Sequence, residues 1–241
     1  MRRARMIGCA IALLAMVYVA TPAGASPPSN VCDCFTPIPA FPDQPDRRFF
    51  PETGHSLAYG FKAYWEASGG LPIFGYPISE EFTERNADTG RDYTAQYFER
   101  TKFEYHPEFK GTPYAVELGL LGREATVAQR EDQPFQSAEE GSVRTGDTLL
   151  YFPQTRHNIL TAFADFWQAN GGLPIFGYPL SEQFLVTDAS GVTYPVQWFE
   201  RARFEGSHTG NRGGNVLLGL IGDEGGVPCI RNTGTVQVRS P

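Results

Sequence analysis

Apolar residues recur at helical spacing between residues 56 and 68: Leu57, Phe61, Tyr64 and Trp65 fall at i, i+4, i+7 and i+8, on one face of a helix. About a hundred residues later Leu160, Phe163, Phe166 and Trp167 make the same stripe. Each stripe stops at a glycine pair, Gly69-Gly70 or Gly171-Gly172, where a left-handed C-cap is wanted, and Pro72 or Pro174 bars the helix from continuing. Ser56 and Asn158 read as the N-caps. The pattern then changes to strands. Residues 81–86 and 93–98 flank Asp88-Thr89-Gly90, a hairpin-type turn, and residues 183–188 and 192–198 flank Ser190-Gly191. A further strand, 102–106 or 203–207, follows a tight turn at Glu99-Arg100 or Glu200-Arg201, because parity changes between Phe98 and Phe103. A short apolar run, 116–121 or 216–221, closes each unit.

The element pattern repeats because the sequence does. Gly69-Gly70-Leu71-Pro72-Ile73-Phe74-Gly75-Tyr76-Pro77 returns unchanged as Gly171-Gly172-Leu173-Pro174-Ile175-Phe176-Gly177-Tyr178-Pro179. The match extends through Phe50-Pro51 and Phe152-Pro153, His55 and His157, Ser79-Glu80 and Ser181-Glu182, and Gln96-Tyr97-Phe98-Glu99-Arg100 against Gln197-Trp198-Phe199-Glu200-Arg201. It ends on Leu118-Gly119-Leu120 and Leu218-Gly219-Leu220. The expected fold is α+β: two tandem repeat modules, each one helix packed on a small antiparallel sheet. The boundaries read as a signal peptide over 1–25, a Pro-rich leader over 26–48, module one over 49–125, a polar linker over 126–148, module two over 149–225 and a tail over 226–241, in which residues 235–238 alternate like an edge strand. Within each string Gly69, Gly75, Gly171 and Gly177 are expected to serve turns, and Trp65 and Trp167 to be buried against the string of their own module.

Arg2, Arg3 and Arg5 precede an apolar run from Met6 to Ala20, and Ala23-Gly24-Ala25 follows as a cleavage site, the pattern of a secretory signal, so a secreted chain beginning at Ser26 is expected, at the cell wall or outside the cell. Contact with a membrane is then expected only through the signal during export. The formal charge is -7, and losing three signal arginines takes it to about -10. That balance argues against nucleic acid and other polyanions as partners and suits a neutral glycan or a surface protein. Cys32, Cys34 and Cys229 would remain after cleavage. In an oxidising compartment Cys229 is expected to bond either Cys32 or Cys34, stapling the two ends. The spacing of Cys32 and Cys34 does not suit zinc, and no metal or cofactor is expected.

A duplicated module carries its own test: chemistry essential to it should occur in both copies. Gly54-His55-Ser56-Leu57-Ala58 has the outline of a nucleophile elbow, but the second copy, Arg156-His157-Asn158-Ile159-Leu160, lacks the serine. His55 and His157 recur without an evident nucleophile or carboxylate and read as helix-start residues. Glu99 with Glu104, and Glu200 with Glu205, could form the carboxylate pair of a glycosidase, which makes a secreted hydrolase the alternative function; neighbouring arginines favour ion pairs. Asn86, Asp88 and Asp92 suggest calcium, but only Asp188 survives in the second copy, so a solvated turn is favoured. Tyr97 and Trp198 alternate away from Phe98 and Phe199 and are the rings most expected to be exposed for stacking on sugar. Gln96 and Gln197 are placed to bond hydroxyls, and Arg100 and Arg201 complete the candidate binding set.

In order and spacing, Trp65, Gly69-Gly70, Phe74-Gly75-Tyr76-Pro77, Gln96, Phe98 and Phe103, with their second-copy partners, resemble the LGFP repeat family of secreted bacterial proteins. The resemblance covers most of both modules. It implies a binding role in attaching to the cell envelope without naming the ligand; with the charge balance, the expected function is a secreted non-catalytic module that associates with cell-wall or surface glycan. A structural spacer or protein-interaction module is the third expectation.

Overall fold

The computed structural model describes residues 34–140, 149–207, 215–224, 229–230 and 236–237. The signal segment, Cys32 and the Cys229 side chain lie outside the described residues. The chain opens with β1 (Arg47–Phe50) and β2 (His55–Ala58), which pair antiparallel, followed by α1 (Tyr59–Ser68) and α2 (Gly70–Phe74). β3 (Phe82–Arg85), β4 (Asp92–Tyr97), β5 (Lys102–Tyr105) and β6 (Val116–Leu118) form one antiparallel sheet in chain order, and α3 (Leu121–Ala125) ends the set. The same order returns: β7 (Leu149–Phe152) with β8 (His157–Leu160), then α4 (Thr161–Ala169) and α5 (Gly172–Phe176). A second sheet of β9 (Phe184–Thr187), β10 (Thr193–Trp198), β11 (Arg203–Gly206) and β12 (Val216–Leu218) precedes α6 (Ile221–Glu224). β13 (Cys229–Ile230) pairs with β14 (Val236–Gln237), as the alternation of the tail suggests. The class is α+β.

Both helix starts fall later than the apolar stripe indicates. Residues 55–58 and 157–160 are strands, so Leu57 reaches the core from a strand and Ser56 and Asn158 cap nothing; α1 and α4 begin after Ala58 and Leu160, neither of which makes a side-chain cap. A four-residue strand feeding straight into a helix mimics helical spacing across the junction. The proline bar is also corrected. Gly69 ends α1 at φ 130°, but the chain then makes a second short helix with Pro72 in its first turn, where a missing N–H costs no hydrogen bond. Gly75 ends that helix at φ 78°, and a Cβ there would lie 2.6 Å from Glu99 Oε2. No side chain fits such a corner; Gly177, at φ 75°, repeats it against Glu200.

Each sheet packs aromatics against the string. Phe103 on β5 meets Phe61, Tyr64, Phe74 and Phe98 at ring distances of 5.8, 5.2, 4.9 and 4.2 Å. Phe204 on β11 meets Phe163, Phe166, Phe176 and Phe199 at 5.8, 5.2, 4.8 and 4.2 Å. Trp65 is buried and Trp167 half-buried, a correction for the second; both indole N–H groups donate at 3.1 Å, to the carbonyls of Gly75 and Gly177. Rings from both copies belong to one continuous apolar core, and the described residues fall within one compact unit.

The segment expected to be an unstructured leader packs on the first sheet. Phe35 lies on Tyr97 and Phe82, Glu80 N–H donates to the Cys34 carbonyl at 2.7 Å, and Ile38 N–H donates to Gly54 at 2.9 Å. The polar linker does the same for the second: Phe135 packs near Phe184, Glu182 N–H donates to Pro134 at 2.7 Å, and Ala138 N–H donates to Arg156 at 2.8 Å. The repeat therefore begins well before Phe49, in stretches where only Phe35 and Phe135 keep the likeness.

The two copies meet reciprocally. Gly222 N–H donates to the Glu99 carbonyl at 3.0 Å, and Arg123 N–H to the Glu200 carbonyl at 3.1 Å. Arg100 Nε donates to Leu218 O at 3.4 Å, and Arg201 Nε to Leu118 O at 3.1 Å. At Gly122 and Gly222 the backbone comes so close to the carbonyls of Phe199 and Phe98 that a Cβ would overlap them.

Candidate functional site

Tyr97 and Trp198 are not exposed: Tyr97 is 0% and Trp198 8% accessible. Alternation places them off the helix-facing side as expected, but the opposite face is covered. Phe35 and Phe82 lie on Tyr97, and Trp198 belongs to the apolar cluster that Phe135, Phe184, Leu121 and Ile221 join. Gln96 and Gln197 are buried as well. Gln96 Nε2 donates to the carbonyls of Ser56 and Ser79 at 2.7 and 2.8 Å, and Gln197 Nε2 to those of Asn158 and Ser181 at 2.7 Å each. Each glutamine ties the β2 or β8 strand to the start of its sheet. Arg100 and Arg201 cross between the copies and also donate to Leu71 O and Leu173 O at 3.1 and 3.3 Å. As a sugar platform this set is corrected: all six residues are engaged within the fold.

His55 and His157 have carboxylate partners that the sequence reading lacks. His55 Nδ1 lies 3.3 Å from Glu80 Oε1, and His157 Nδ1 lies 3.2 Å from Glu182 Oε1. The same carboxylates accept the backbone N–H of Ser56 at 2.8 Å and of Asn158 at 2.9 Å. The signal was present, since both glutamates recur 25 residues after their histidines. Ser56 Oγ donates to Glu80 Oε2 at 2.6 Å rather than to the imidazole, so the serine–histidine arrangement of a hydrolase is not formed. Burial raises the Glu80 carboxyl, but hydrogen bonds from His55 and from Ser56 outweigh it and hold the group below the usual carboxylate range.

The glutamate pairs separate by partner. Glu99 Oε2 accepts Tyr76 N–H at 3.0 Å, and Glu200 Oε2 accepts Tyr178 N–H at 3.1 Å, so each closes the corner of a repeated string. Glu104 instead faces Lys102 at 3.1 Å and accepts Asn86 Nδ2 at 2.8 Å; Glu205 faces Arg203. The two carboxylates of each pair therefore serve different partners. Asn86 Oδ1 accepts the N–H groups of Asp88 and Thr89 at 3.0 and 2.9 Å, a self-contained turn that accounts for the calcium-like spacing.

Lys102 is 1% accessible, and three carboxylates surround its ammonium: Glu84 and Glu104 at 3.1 Å and Glu124 at 2.8 Å. Tyr97 donates its hydroxyl to Glu84 Oε1 at 2.8 Å. Burial alone would make the ammonium more acidic; the three glutamates reverse this and hold it above the ordinary lysine value. At Glu84 burial prevails over Lys102 and Tyr97 and pushes the carboxyl up. The two directions agree physically, since one cation shared by three anions is strongly held while the most enclosed anion is under-compensated. In the second copy Arg203 bonds Glu205 and Glu224, and Val186 replaces Glu84.

The surface between the copies opens into a cleft of about 300 Å³ lined by Arg123, Thr126, Arg130, Phe135 and Leu180. Residues 123–135 of the stretch after β6 build it together with Leu180. Among the described residues no helix is long and apolar enough to cross a membrane. Compared with protein-family models, curated proteins and solved structures, the chain gives no match.

Proposed function

We propose that the chain is a secreted, non-catalytic binding protein of two tandem modules, each one helix packed on a small antiparallel sheet, that associates with cell-wall or surface glycan. One observation carries the non-catalytic part of this reading. The polar residues common to both copies, His55/His157, Glu80/Glu182, Gln96/Gln197, Glu99/Glu200 and Arg100/Arg201, hold strands, string corners and the seam between the copies. A duplicated catalytic group would instead face a shared open cleft. The likeness of both modules to LGFP repeats supports envelope attachment. Ring surface for sugar is offered by Tyr59, 68% exposed at φ 45°, and Tyr114, 65% exposed, in place of Tyr97 and Trp198. Purified chain should sediment with isolated cell envelopes, and Tyr59→Ala with Tyr114→Ala should reduce that without lowering the melting temperature. A chain that stays in the supernatant would remove the reading. The staple of Cys229 to Cys32 or Cys34 belongs to the same proposal; non-reducing peptide mapping of secreted protein should recover it, and three unpaired thiols would refute it.

A further inference from the structure

The cleft built by residues 123–135 and Leu180 is independent of glycan association, and its chemistry is specific. Phe135 and Leu180 give it an apolar wall, and Arg123 and Arg130 place two guanidinium groups on its lining. Arg123 is already oriented: its backbone N–H donates to Glu200 O at 3.1 Å and its Nη2 bonds the Glu200 carboxylate. A guanidinium has five N–H donors, so others remain for a ligand. Arg130 is exposed and makes no ion pair among the described residues. Its backbone is held, because its carbonyl accepts Gln136 Nε2 at 3.1 Å and the loop is closed by Asp132 N–H on Gln129 and Phe135 N–H on Asp132 at 2.9 and 3.0 Å. Thr126, 1% accessible, is anchored to Gly122 O at 2.8 Å and forms a rigid floor.

Charge and size define the ligand class. Glu200 pairs with Arg123, and among the described residues of the cleft lining Arg130 is the cation that makes no ion pair, in a chain of formal charge -7. One such charge suits a monoanion and not a polyanion. A volume of about 300 Å³ stands at the small end of ligand clefts and suits a single ring with its substituents. The Phe135 ring, packed near Phe184, offers a flat partner. We propose that this cleft binds a small carboxylate carried on a ring with an apolar face, the carboxylate on Arg130 and Arg123 and the ring on Phe135 and Leu180. Asp223 stands at the position of Arg123 in the second copy, so the site belongs to one side only.

Two sources share this chemistry, aromatic acids and uronic acids. The test is titration calorimetry of the intact secreted chain with phenylacetate, with glucuronate and with inorganic phosphate, repeated on Arg130→Met. One of the two ring carboxylates should saturate a single site and lose about tenfold or more in affinity in Arg130→Met at an unchanged melting temperature. Phenylacetate binding identifies an aromatic acid, glucuronate binding a sugar acid. The proposal is overturned if neither binds at millimolar concentration, if Arg130→Met binds as well as the parent, or if phosphate binds equally, which would reduce the cleft to an unspecific anion patch. Envelope sedimentation, read separately, is unaffected by any of these outcomes.

Discussion

Lys102 shows how far a single residue can decide local stability. Removing its ammonium leaves Glu84 and Glu104, 5% and 4% accessible, without their shared cation. Lys102→Met should therefore cost about 3–5 kcal/mol in urea unfolding, the range for breaking a buried ion pair from one side. Glu84→Gln should be within about 1 kcal/mol of the parent or more stable, since it relieves an excess of negative charge and spares an acceptor for Tyr97. An equal loss in both variants would contradict the one-cation, three-anion account. Glu80 gives the opposite dependence on acidity. Its carboxyl is lowered from the ordinary 4.5, so the stability it contributes is complete above that value and is lost as pH falls through the lower folded value. Glu80→Gln should lower the melting temperature at neutral pH and flatten its decline on acidification; thermal scans along a pH series read this directly. The groups facing Glu80 are His55, Ser56 and the neighbouring Glu81. The recurrence of Glu80 and Glu182 25 residues after His55 and His157 marks the first network in the sequence, whereas no spacing marks the second. Glu80 meets His55 only because β2 lies beside the start of the first sheet, and Lys102 looks in sequence like any solvated strand lysine.

At the scale of elements, the strands of the two four-stranded sheets follow from the sequence, whereas the β1–β2 and β7–β8 pairs and the helix starts do not. The predicted strands 81–86, 93–98 and 102–106 are observed as Phe82–Arg85, Asp92–Tyr97 and Lys102–Tyr105, because alternation and turn residues are local signals. The β2–α1 junction defeats periodicity, since Tyr59 turns the chain at φ 45°, a conformation no pattern announces. The Gly70–Phe74 stretch of the nine-residue string is a short helix, where its prolines suggest chain that leaves one. Its two copies differ in how deeply they hold their tryptophan. Trp65→Ala should cost about 3–5 kcal/mol, whereas Trp167→Ala, from a half-buried site with the same carbonyl bond, should cost about 2 kcal/mol less. Equilibrium unfolding of the two variants separates them; identical losses would mean that indole burial does not set the difference.

At the scale of the whole molecule, rings of both repeats share one core. The covering segments were misread for a compositional reason: prolines before Arg48 and charges between residues 126 and 140 suggest extended chain, yet one aromatic in each, Phe35 or Phe135, suffices to seat the segment on a sheet. The same seating hides Tyr97 and Trp198, which is why the binding residues were the least legible part. Across the seam, Gly122→Ala or Gly222→Ala should each cost about 2–3 kcal/mol, because the added methyl meets backbone carbonyl rather than a movable side chain. Each loss should appear in a single transition shared by both copies, and two separable transitions would refute the shared core. The seam also bears on ancestry. Gly122 approaches Phe199 as Gly222 approaches Phe98, and Arg100 reaches Leu218 as Arg201 reaches Leu118: these contacts occur twice with the sides exchanged, as in a twofold homodimer interface, while the Arg123–Glu200 ion pair meets Asp223 in place of Arg123 on the other side. A fused dimer is released from identity between its halves, and the exchanges of Glu84 for Val186 and Arg123 for Asp223 are the divergence such a fusion permits. A lone second repeat with its covering segment should then pair with itself in size-exclusion chromatography, reassembling from separate chains what one polypeptide now contains.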